Sequence, residues 1–518
     1  MAIPKIKWFN FAAVHRVNWA GLLLLLVLGV ALLASNRWFT FIDDEVWILD
    51  AAAKPLVETM RAYISGSGEH EHPPLFDLLL HGWLKLTGGP LALLRLPSIA
   101  FYVLGLCLLV RAAARWGGEA GAKAMLWIAV FWPYGFHFGR LTTWYSLAFL
   151  LVALVTLVYM RFCESPTLVC TAVLFGASLA LVYTNYFGWV LLACLLLDFA
   201  WAHGSDFVRL RWRLAAGVAL LVAAYAPLWP ALFATSGQRL RRPWSLLGAV
   251  FYAGQAGYAA LVSESVAPWF WWLSVPACVA VALCVLLTVL RAPTPARRFL
   301  FYFFFLFVVL AALGLLTTKR LMLITPWLLL AISLTAAAQR GPVRRVLAAA
   351  MILIFVIGWF GIVTRRFYAA PRFIEPWQEV AGQAAQVVRE GGITIGNHPS
   401  FFFYLTYALR GSGRVPARGF AGILSSSVEH PQVFDADRWV ETRRPVGPLV
   451  ILVKGVPAGS PNGPIQEAEH WLDARCNLRS DRRLLRDPGY ELKQRFFPEL
   501  GQMPWRIVIR EYTCVDAR

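Results

Sequence analysis

Long apolar runs recur along the first two thirds of this chain. A run of about 17–25 apolar residues can cross a bilayer as a helix. Eleven such runs can be drawn, at residues 18–35, 91–110, 122–138, 143–160, 167–184, 186–202, 214–234, 269–290, 299–316, 321–338 and 345–363. The composition is 59% hydrophobic and only 15% charged. Because helices satisfy their own backbone hydrogen bonds inside lipid, the sequence predicts a polytopic α-helical membrane protein with about 11 transmembrane helices.

Basic residues between the runs indicate the orientation of the chain. If the N-terminus is inside, each inside loop carries Arg or Lys, as cytoplasmic loops do: Arg111, Arg115 and Lys123; Arg161; Arg209, Arg211 and Arg213; Arg291, Arg297 and Arg298; Arg340, Arg344 and Arg345. An odd number of spans then places the tail outside. Arg239, Arg241 and Arg242 break the rule, through either a miscounted span or a basic external loop. The net charge of +19 is thus a topology signal, and no nucleic-acid partner is expected.

Three consecutive carboxylates, Asp43, Asp44 and Glu45, follow the first apolar run. Acidic side chains at a membrane boundary are costly unless they are solvated, paired or functional. One interpretation is a general base with a neighbouring carboxylate that tunes it. The alternative is an acidic helix start, which complements the helix dipole. The loop from residue 36 to 90 also predicts two interfacial amphipathic helices, at 46–64 and 75–86.

A second polar cluster, residues 69–72, lies between these two helices and can return to the same membrane surface. It contains His70 and His72, flanked by glutamates. Imidazole and carboxylate groups bind divalent metals, so His70, His72 and Asp43 are candidate ligands for a possible divalent ion. The same groups could instead bind a phosphate or lie in a solvated loop. No other cofactor is expected.

Further polar residues lie at the predicted outer ends of spans. Arg140 suits phosphate or carboxylate binding, and Lys319 and Arg320 are adjacent cations where the positive-inside rule expects few. Snorkelling towards the headgroups is the alternative for these cations. The turn at 183–187 is polar and aromatic, which is also typical of an interfacial aromatic belt. The candidate substrate-binding residues are His70, Tyr145, Asn185 and Tyr186.

The composition changes at residue 364. Charged residues become more frequent, apolar runs shorten, and Gly-, Pro- and Asn-rich turn signals appear. A helix is predicted at 376–390 and strands at 392–396, 449–453 and 505–509. The sequence thus predicts a transmembrane domain, 1–363, and an extracytoplasmic α/β domain, 364–518. Cys476 and Cys514 lie in this tail and can form a disulfide if the tail is exported.

Taken in order, these features resemble the GT-C membrane glycosyltransferases. The sequence is most similar to the bacterial branch of glycosyltransferase family 39, the protein O-mannosyltransferases, whose relatives include the aminoarabinose transferase of lipid A. Asp44-Glu45 looks like the family's Asp-Glu pair after the first span. His72-Pro-Pro-Leu75 and Arg95-Leu-Pro97 also match family segments. The chain departs at 139–145, where the Glu of a Glu-Ala-Arg-x-Tyr segment is absent, and at Asn185, which replaces a His.

The resemblance implies an inverting transfer of a sugar from a polyprenyl-phosphate donor to an acceptor hydroxyl. Asp44 would be the base, with Asp43 as the competing candidate and Glu45 beside them. Lys319, Arg320, Arg140 and His72 would bind the leaving phosphate. The implied partners are the bilayer, the lipid-linked donor and a glycan, glycolipid or protein acceptor, and the implied location is the inner membrane, with a periplasmic tail and a monomeric chain. The rival hypotheses are a flippase of lipid-linked sugars and a non-catalytic scaffold.

Overall fold

A computed structural model describes residues 19–65, 72–233, 246–266, 268–291, 295–368, 371–390, 392–409, 420–422, 449–455, 463–487, 490–491 and 504–514. The chain divides into two compact units. The helical unit comprises the chain up to Ser35 together with Ile48–Thr364, and the tail unit comprises Asn36–Trp47 together with Arg365–Arg518. The division at Thr364 lies beside the change in composition. The short acidic segment from the first loop belongs to the tail unit.

Helices dominate the chain up to residue 363. In order they are α1 (Trp19–Ala34), α2 (Asp43–Ala53), α3 (Leu56–Ser65), α4 (Leu75–Thr87), α5 (Leu96–Phe131), α6 (Pro133–Phe138), α7 (Trp144–Glu164), α8 (Leu168–Val182), α9 (Gly188–Ala202), α10 (Gly204–Ala224), α11 (Leu246–Val262), α12 (Trp271–Arg291), α13 (Pro295–Ala312), α14 (Thr325–Ala338) and α15 (Gly341–Val363). A 3-10 helix, Thr318–Leu323, precedes α14.

Six helical stretches of the described chain are long and apolar enough to cross a membrane: Trp19–Trp38, Leu91–Phe131, Trp144–Glu164, Trp271–Leu290, Pro295–Ala312 and Gly341–Val363. A bent pair, Gly204–Ala224 with Ala226–Phe233, gives a seventh at an angle of 47°. Three further apolar helices are shorter than these stretches: α8, α9 and α14. The prediction of a polytopic helical membrane fold is confirmed.

Two predicted spans differ from the observed helices. The runs at 91–110 and 122–138 are joined in α5, which is interrupted at Gly118 with φ 62° and ψ −155° and ends just before Pro133. The helix α11 lies where no span was predicted, although its residues are on average as apolar as those of α7 and α13. The outward orientation of the tail depends on an odd number of spans. Because the observed helices do not reproduce the predicted spans one for one, this orientation stays a prediction.

The first loop contains two short helices before α4. The predicted helix at 46–64 is divided into α2 and α3 because Pro55 cannot continue the helical hydrogen-bond pattern. The helix α4 begins after Pro73-Pro74, where the missing N–H is tolerated. It ends at Gly88, whose φ of 72° makes a left-handed cap. These proline and glycine positions explain the agreement with the predicted helix at 75–86.

The tail unit contains a five-stranded sheet with the order β2-β1-β3-β5-β4. The strands are β1 (Ile393–Gly396), β2 (Phe420–Gly422), β3 (Leu449–Gly455), β4 (Asn477–Arg486) and β5 (Trp505–Thr513). The first three are parallel, whereas β5 runs antiparallel to both β3 and β4. The helices are α16 (Trp377–Arg389), α17 (Pro399–Leu409) and α18 (Gly463–Arg475). A disulfide joins Cys476 and Cys514, at the adjacent ends of β4 and β5.

Candidate active site

The segment before the acidic triplet packs on the tail unit through backbone and side-chain hydrogen bonds. The N–H of Thr40 donates to the carbonyl of Phe373 at 3.1 Å, and its hydroxyl donates to the carbonyl of Glu375. The N–H of Phe41 donates to the hydroxyl of Tyr404 at 2.9 Å. These bonds fix the start of α2, and therefore the direction of the carboxylates that follow.

Asp43 contacts the loop that links β1 to α17. The hydroxyl of Ser400 donates to its Oδ1 at 3.1 Å, and Nε2 of His398 lies 3.5 Å from the same oxygen. The Asp43 side chain is 24% exposed and that of His398 only 3%. Ser400 lies in the first turn of α17, where the helix dipole attracts a carboxylate. Asp43 is thus held at the carboxyl end of the parallel strand β1.

A buried network orients His398. Its ring stacks on Trp377 with centroids 4.4 Å apart, and the indole N–H of Trp377 donates to Glu375 at 2.8 Å. Glu375 also pairs with Arg506 of β5 at 2.7 Å. The loop itself is tied to β3 because the side chain of Asn397 both accepts from and donates to the backbone of Gly455, at 2.7 and 3.2 Å.

The other two carboxylates have different surroundings. Glu45 is fully buried, and its Oε2 accepts the N–H of Ile42, three residues earlier, at 3.2 Å. This is the reciprocal half of a capping box, with Ile42 at the cap position. Asp44 is half-buried. All three acids lie in the first turn of α2, as the helix-start alternative expects, and their surroundings differ.

Arg140 and Tyr145 lie in the helical unit, around the break between α6 and α7. Arg140 is completely buried. Its guanidinium donates to the hydroxyl of Ser35 at 3.3 Å and lies 3.4 Å from Nδ1 of His137. A buried guanidinium does not snorkel to solvent. Tyr145 is also buried and lies edge-on to Trp144, with ring centroids 4.4 Å apart.

His72 belongs to a buried polar cluster whose carboxylate the sequence analysis missed. Asp77, in the first turn of α4, accepts a hydrogen bond from the hydroxyl of Tyr63. Burial raises the pKa of Asp77 above its ordinary value of 3.8, while the charge of His72 and the bond from Tyr63 lower it. Burial, Asp77 and Tyr186 raise the pKa of Tyr63 well above 10.0. The cluster thus places His72 near Asp77, and Tyr186 near Tyr63.

The turn at 183–187 lies against the start of α4. The N–H of Leu75 donates to the carbonyl of Tyr183 at 2.9 Å. Within the turn, Oδ1 of Asn185 accepts the N–H of Phe187 at 2.8 Å, which is the geometry of an Asx-turn. Asn185 thus stabilises the turn that contains Tyr186. Its amide oxygen makes this hydrogen bond, so the turn does not need the imidazole of the family's His.

Lys319 and Arg320 lie half-buried in the 3-10 helix that precedes α14. The guanidinium of Arg320 donates to the carbonyl of Leu315 at 2.8 Å. Next to these cations, the hydroxyl of Thr318 donates to Glu264, a buried carboxylate that the sequence analysis also missed. The hydroxyl of Tyr134, in α6, donates to the carbonyl of Thr318 at 2.6 Å.

Residues 134–145 connect the predicted sites of the helical unit. Tyr134 contacts the 3-10 helix with the two cations, Arg140 lies in the middle, and the ring of Trp144 lies 6.3 Å from that of His72. His70 lies outside the described residues. Within the described ranges, no group of three or more His, Cys, Asp or Glu side chains could hold a metal, so the metal hypothesis stays untested at His70.

Comparisons with known proteins identify solved structures with a similar fold. No protein-family profile and no curated protein sequence matches the chain. The chain is similar to the crystal structure of ArnT from Cupriavidus metallidurans in the apo state, with a TM-score of 0.53 at 13% identity over 95% of this chain and 98% of that one. It is equally similar to ArnT from the same organism bound to undecaprenyl phosphate, with a TM-score of 0.53 at 14% identity over 96% and 98%.

These similarities define the class of fold. The chain shares the GT-C-type fold of these ArnT structures, as expected from the resemblance of its motifs. The match covers nearly the whole of both chains, so it includes the tail as well as the helices. At 13–14% identity the likeness concerns architecture and leaves the substrate open.

Proposed function

We propose that this protein is an inverting glycosyltransferase. It moves a sugar from a polyprenyl-phosphate donor to an acceptor hydroxyl of an envelope glycan, a glycolipid such as lipid A, or a protein. The observation that carries the proposal is the full-length structural similarity to ArnT, one structure of which holds undecaprenyl phosphate. A polytopic fold suits a substrate that is anchored in the bilayer by its own lipid chain.

The chemistry needs a base on the acceptor hydroxyl and cations on the leaving phosphate. Asp44 acts as the base in this proposal. The leaving phosphate is bound by Lys319, Arg320, Arg140 and His72. Their positive charge stabilises the departing oxygen. The complete burial of Arg140 supports this role, since a buried cation strengthens an electrostatic interaction that water would weaken. The proposed contacts to the sugar or acceptor are Tyr145, Tyr186 and Asn185, with His70, which lies outside the described residues, as a further candidate.

The proposed location is the inner membrane of a bacterial cell, with the tail in the periplasm and the chain a monomer. The disulfide between Cys476 and Cys514 supports an exported tail, because disulfides persist in oxidising compartments. The acceptor would then be an envelope component that reaches the outer face of this membrane. The excess of arginine at 239–242, a stretch outside the described residues, favours an anionic donor or acceptor.

The test is sugar transfer by the purified full-length protein in detergent. A panel of polyprenyl-phosphate sugars is offered with an extract of envelope glycolipids, and release of polyprenyl phosphate is measured with and without a chelator. Release with one donor supports the proposal and identifies the sugar, and the chelator arm tests for a divalent ion. No release with any donor, from protein that unfolds cooperatively, contradicts it, and lipid flipping in liposomes is then the next assay.

A further inference from the structure

We infer that Asp43 is a positioning residue held by His398 and Ser400 of the tail unit, and that this contact directs Asp44 as the base. The inference rests on the proposed function and extends it. It assigns the tail a part in catalysis, through a loop that lies more than 350 residues from the acidic triplet in sequence (a separation of 357).

The hydrogen-bond directions around His398 are consistent with one arrangement. The N–H of Ser400 points at Nδ1 of His398, at 3.3 Å, so Nδ1 accepts. The proton of the neutral ring is then on Nε2, which faces Oδ1 of Asp43 at 3.5 Å. The hydroxyl of Ser400 donates to the same oxygen at 3.1 Å. One hydrogen bond, from Ser400 in the first turn of α17, and one longer polar contact, from His398, therefore meet the same carboxylate oxygen.

Helix geometry separates the roles of the two aspartates. Asp43 and Asp44 are consecutive residues at the start of α2, so their side chains diverge by about 100° around the helix axis. Because Asp43 points at the first turn of α17, Asp44 is directed to a different face of α2. Fixing Asp43 therefore fixes the rotation of α2 about its axis, and with it the direction in which Asp44 points.

The contact is built on rigid parts. His398 stacks on the ring of Trp377 and has only 3% of its side chain exposed. A Cβ at Gly455 would lie 2.8 Å from both of these rings, so the backbone of β3 packs closely against the stacked pair. A proton-abstracting group loses rate steeply when it is displaced by about 1 Å, which is why such a support would matter for the transfer step.

The test is a double-mutant cycle on transfer kinetics. We expect Ser400→Ala and Asp43→Asn each to lower kcat by roughly ten- to a hundredfold with KM little changed. The double variant should lose no more than the worse single variant, because both changes break one contact. His398→Gln, which retains an N–H donor, should recover part of the activity that His398→Ala loses. Losses that multiply in the double variant, or full activity in Ser400→Ala, overturn the inference.

Hydrogen exchange tests the contact without any turnover. The amides of residues 39–46 should exchange faster in Ser400→Ala and His398→Ala than in the wild type. Thr406→Ala is the control, since Thr406 lies exposed on the same helix and its hydroxyl bonds only within that helix, to Phe402. Unchanged exchange in both variants overturns the inference. If the contact is seen in exchange but the wild type transfers no sugar, the proposed function fails on its own.

Discussion

At the scale of single residues, Glu45 shows how a carboxylate beside a catalytic candidate can serve the backbone. It is buried and accepts the N–H of Ile42. Glutamine can complete the same capping box, so Glu45→Gln should keep both stability and transfer. Glu45→Ala should lower the unfolding free energy by about 0.5–2 kcal/mol. Thermal unfolding and transfer assays of the two variants measure this, and a Gln variant that is stable but inactive would assign Glu45 to the chemistry.

Gly455 is a second informative residue. An added Cβ would lie 2.8 Å from both His398 and Trp377, which are held by packing and cannot move away freely. Gly455→Ala should therefore destabilise the protein by about 1–3 kcal/mol through overpacking and reduce transfer as His398→Ala does.

Gly382 provides the matched control for that variant. It lies in α16, and a Cβ there would meet no atom within 4 Å. Gly382→Ala should raise stability by about 0.5–1 kcal/mol because alanine favours a helix. Differential scanning of the two variants against the wild type measures both effects. A Gly455→Ala protein as stable as the wild type would show that the loop is not tightly packed there.

At the scale of elements, α3 and α4 enclose the carboxyl of Asp77. Burial raises its pKa above 3.8 in the folded protein, so the folded state keeps this proton to a higher pH than the unfolded state does. Stability contributed by the protonated form is therefore lost as the pH rises from about 4 through the folded-state pKa. The charge of His72 and the hydroxyl of Tyr63 act in the opposite direction and reduce the effect.

The corresponding prediction concerns Asp77→Asn. The asparagine of this variant does not titrate in the same range. The melting temperature of Asp77→Asn should therefore increase relative to that of the wild type as the pH rises from about 4 to about 8. Asp50→Asn is the control, because the Asp50 side chain is 60% exposed. Parallel melting curves for the wild type and Asp77→Asn across this range would contradict the raised pKa.

Much of the helical architecture could be predicted from the lengths of the apolar runs and from the positions of proline and glycine. Pro73-Pro74 and Gly88 set the ends of α4, and the GT-C resemblance was confirmed as a fold. No span was predicted at α11, although this helix is as apolar as α13, which was predicted. The sequence analysis also missed β4, a strand rich in arginine. That strand lies at an edge of the sheet and faces acidic partners, as in the pair of Arg482 with Glu511.

The candidate site was predictable only where its signal was local. Asp43, Asp44 and His72 were singled out as candidates because each lies in an unusual short motif next to an apolar run. His398 and Ser400 were not found, because nothing local marks a contact with Asp43 across 357 residues. The sequence showed only a turn at Asn397-His398-Pro399. Asp77 could have been noticed, since it is a lone acid in an otherwise apolar helix face.

At the scale of the whole molecule, the acidic segment joins the two units of the chain covalently. Residues Asn36–Trp47 belong to the tail unit, although they directly follow the first span. The transfer chemistry proposed for Asp44 therefore depends on the integrity of the tail. A chain that ends at Thr364 should lack transfer even if its helices insert, because the contacts of Thr40, Phe41 and Asp43 would be absent.

The disulfide gives a further prediction at this scale. Cys476 and Cys514 are separated by 38 residues, so loss of the bond in Cys476→Ser/Cys514→Ser should destabilise the tail by about 2–4 kcal/mol. Labelling with a maleimide of high mass should modify two more cysteines after reduction than before it. Equal labelling with and without reductant would argue against an oxidising location for the tail.

The most direct test of the proposed base compares the wild type with Asp44→Asn. Both proteins are purified, shown to melt at similar temperatures, and given the donor that the panel identifies, with release of polyprenyl phosphate measured over time. We predict release by the wild type and a loss of at least about a hundredfold in Asp44→Asn, since general-base catalysis contributes roughly 10²–10⁴ in rate. Full release by Asp44→Asn would contradict the assignment of the base, and no release by the folded wild type would contradict the proposed function.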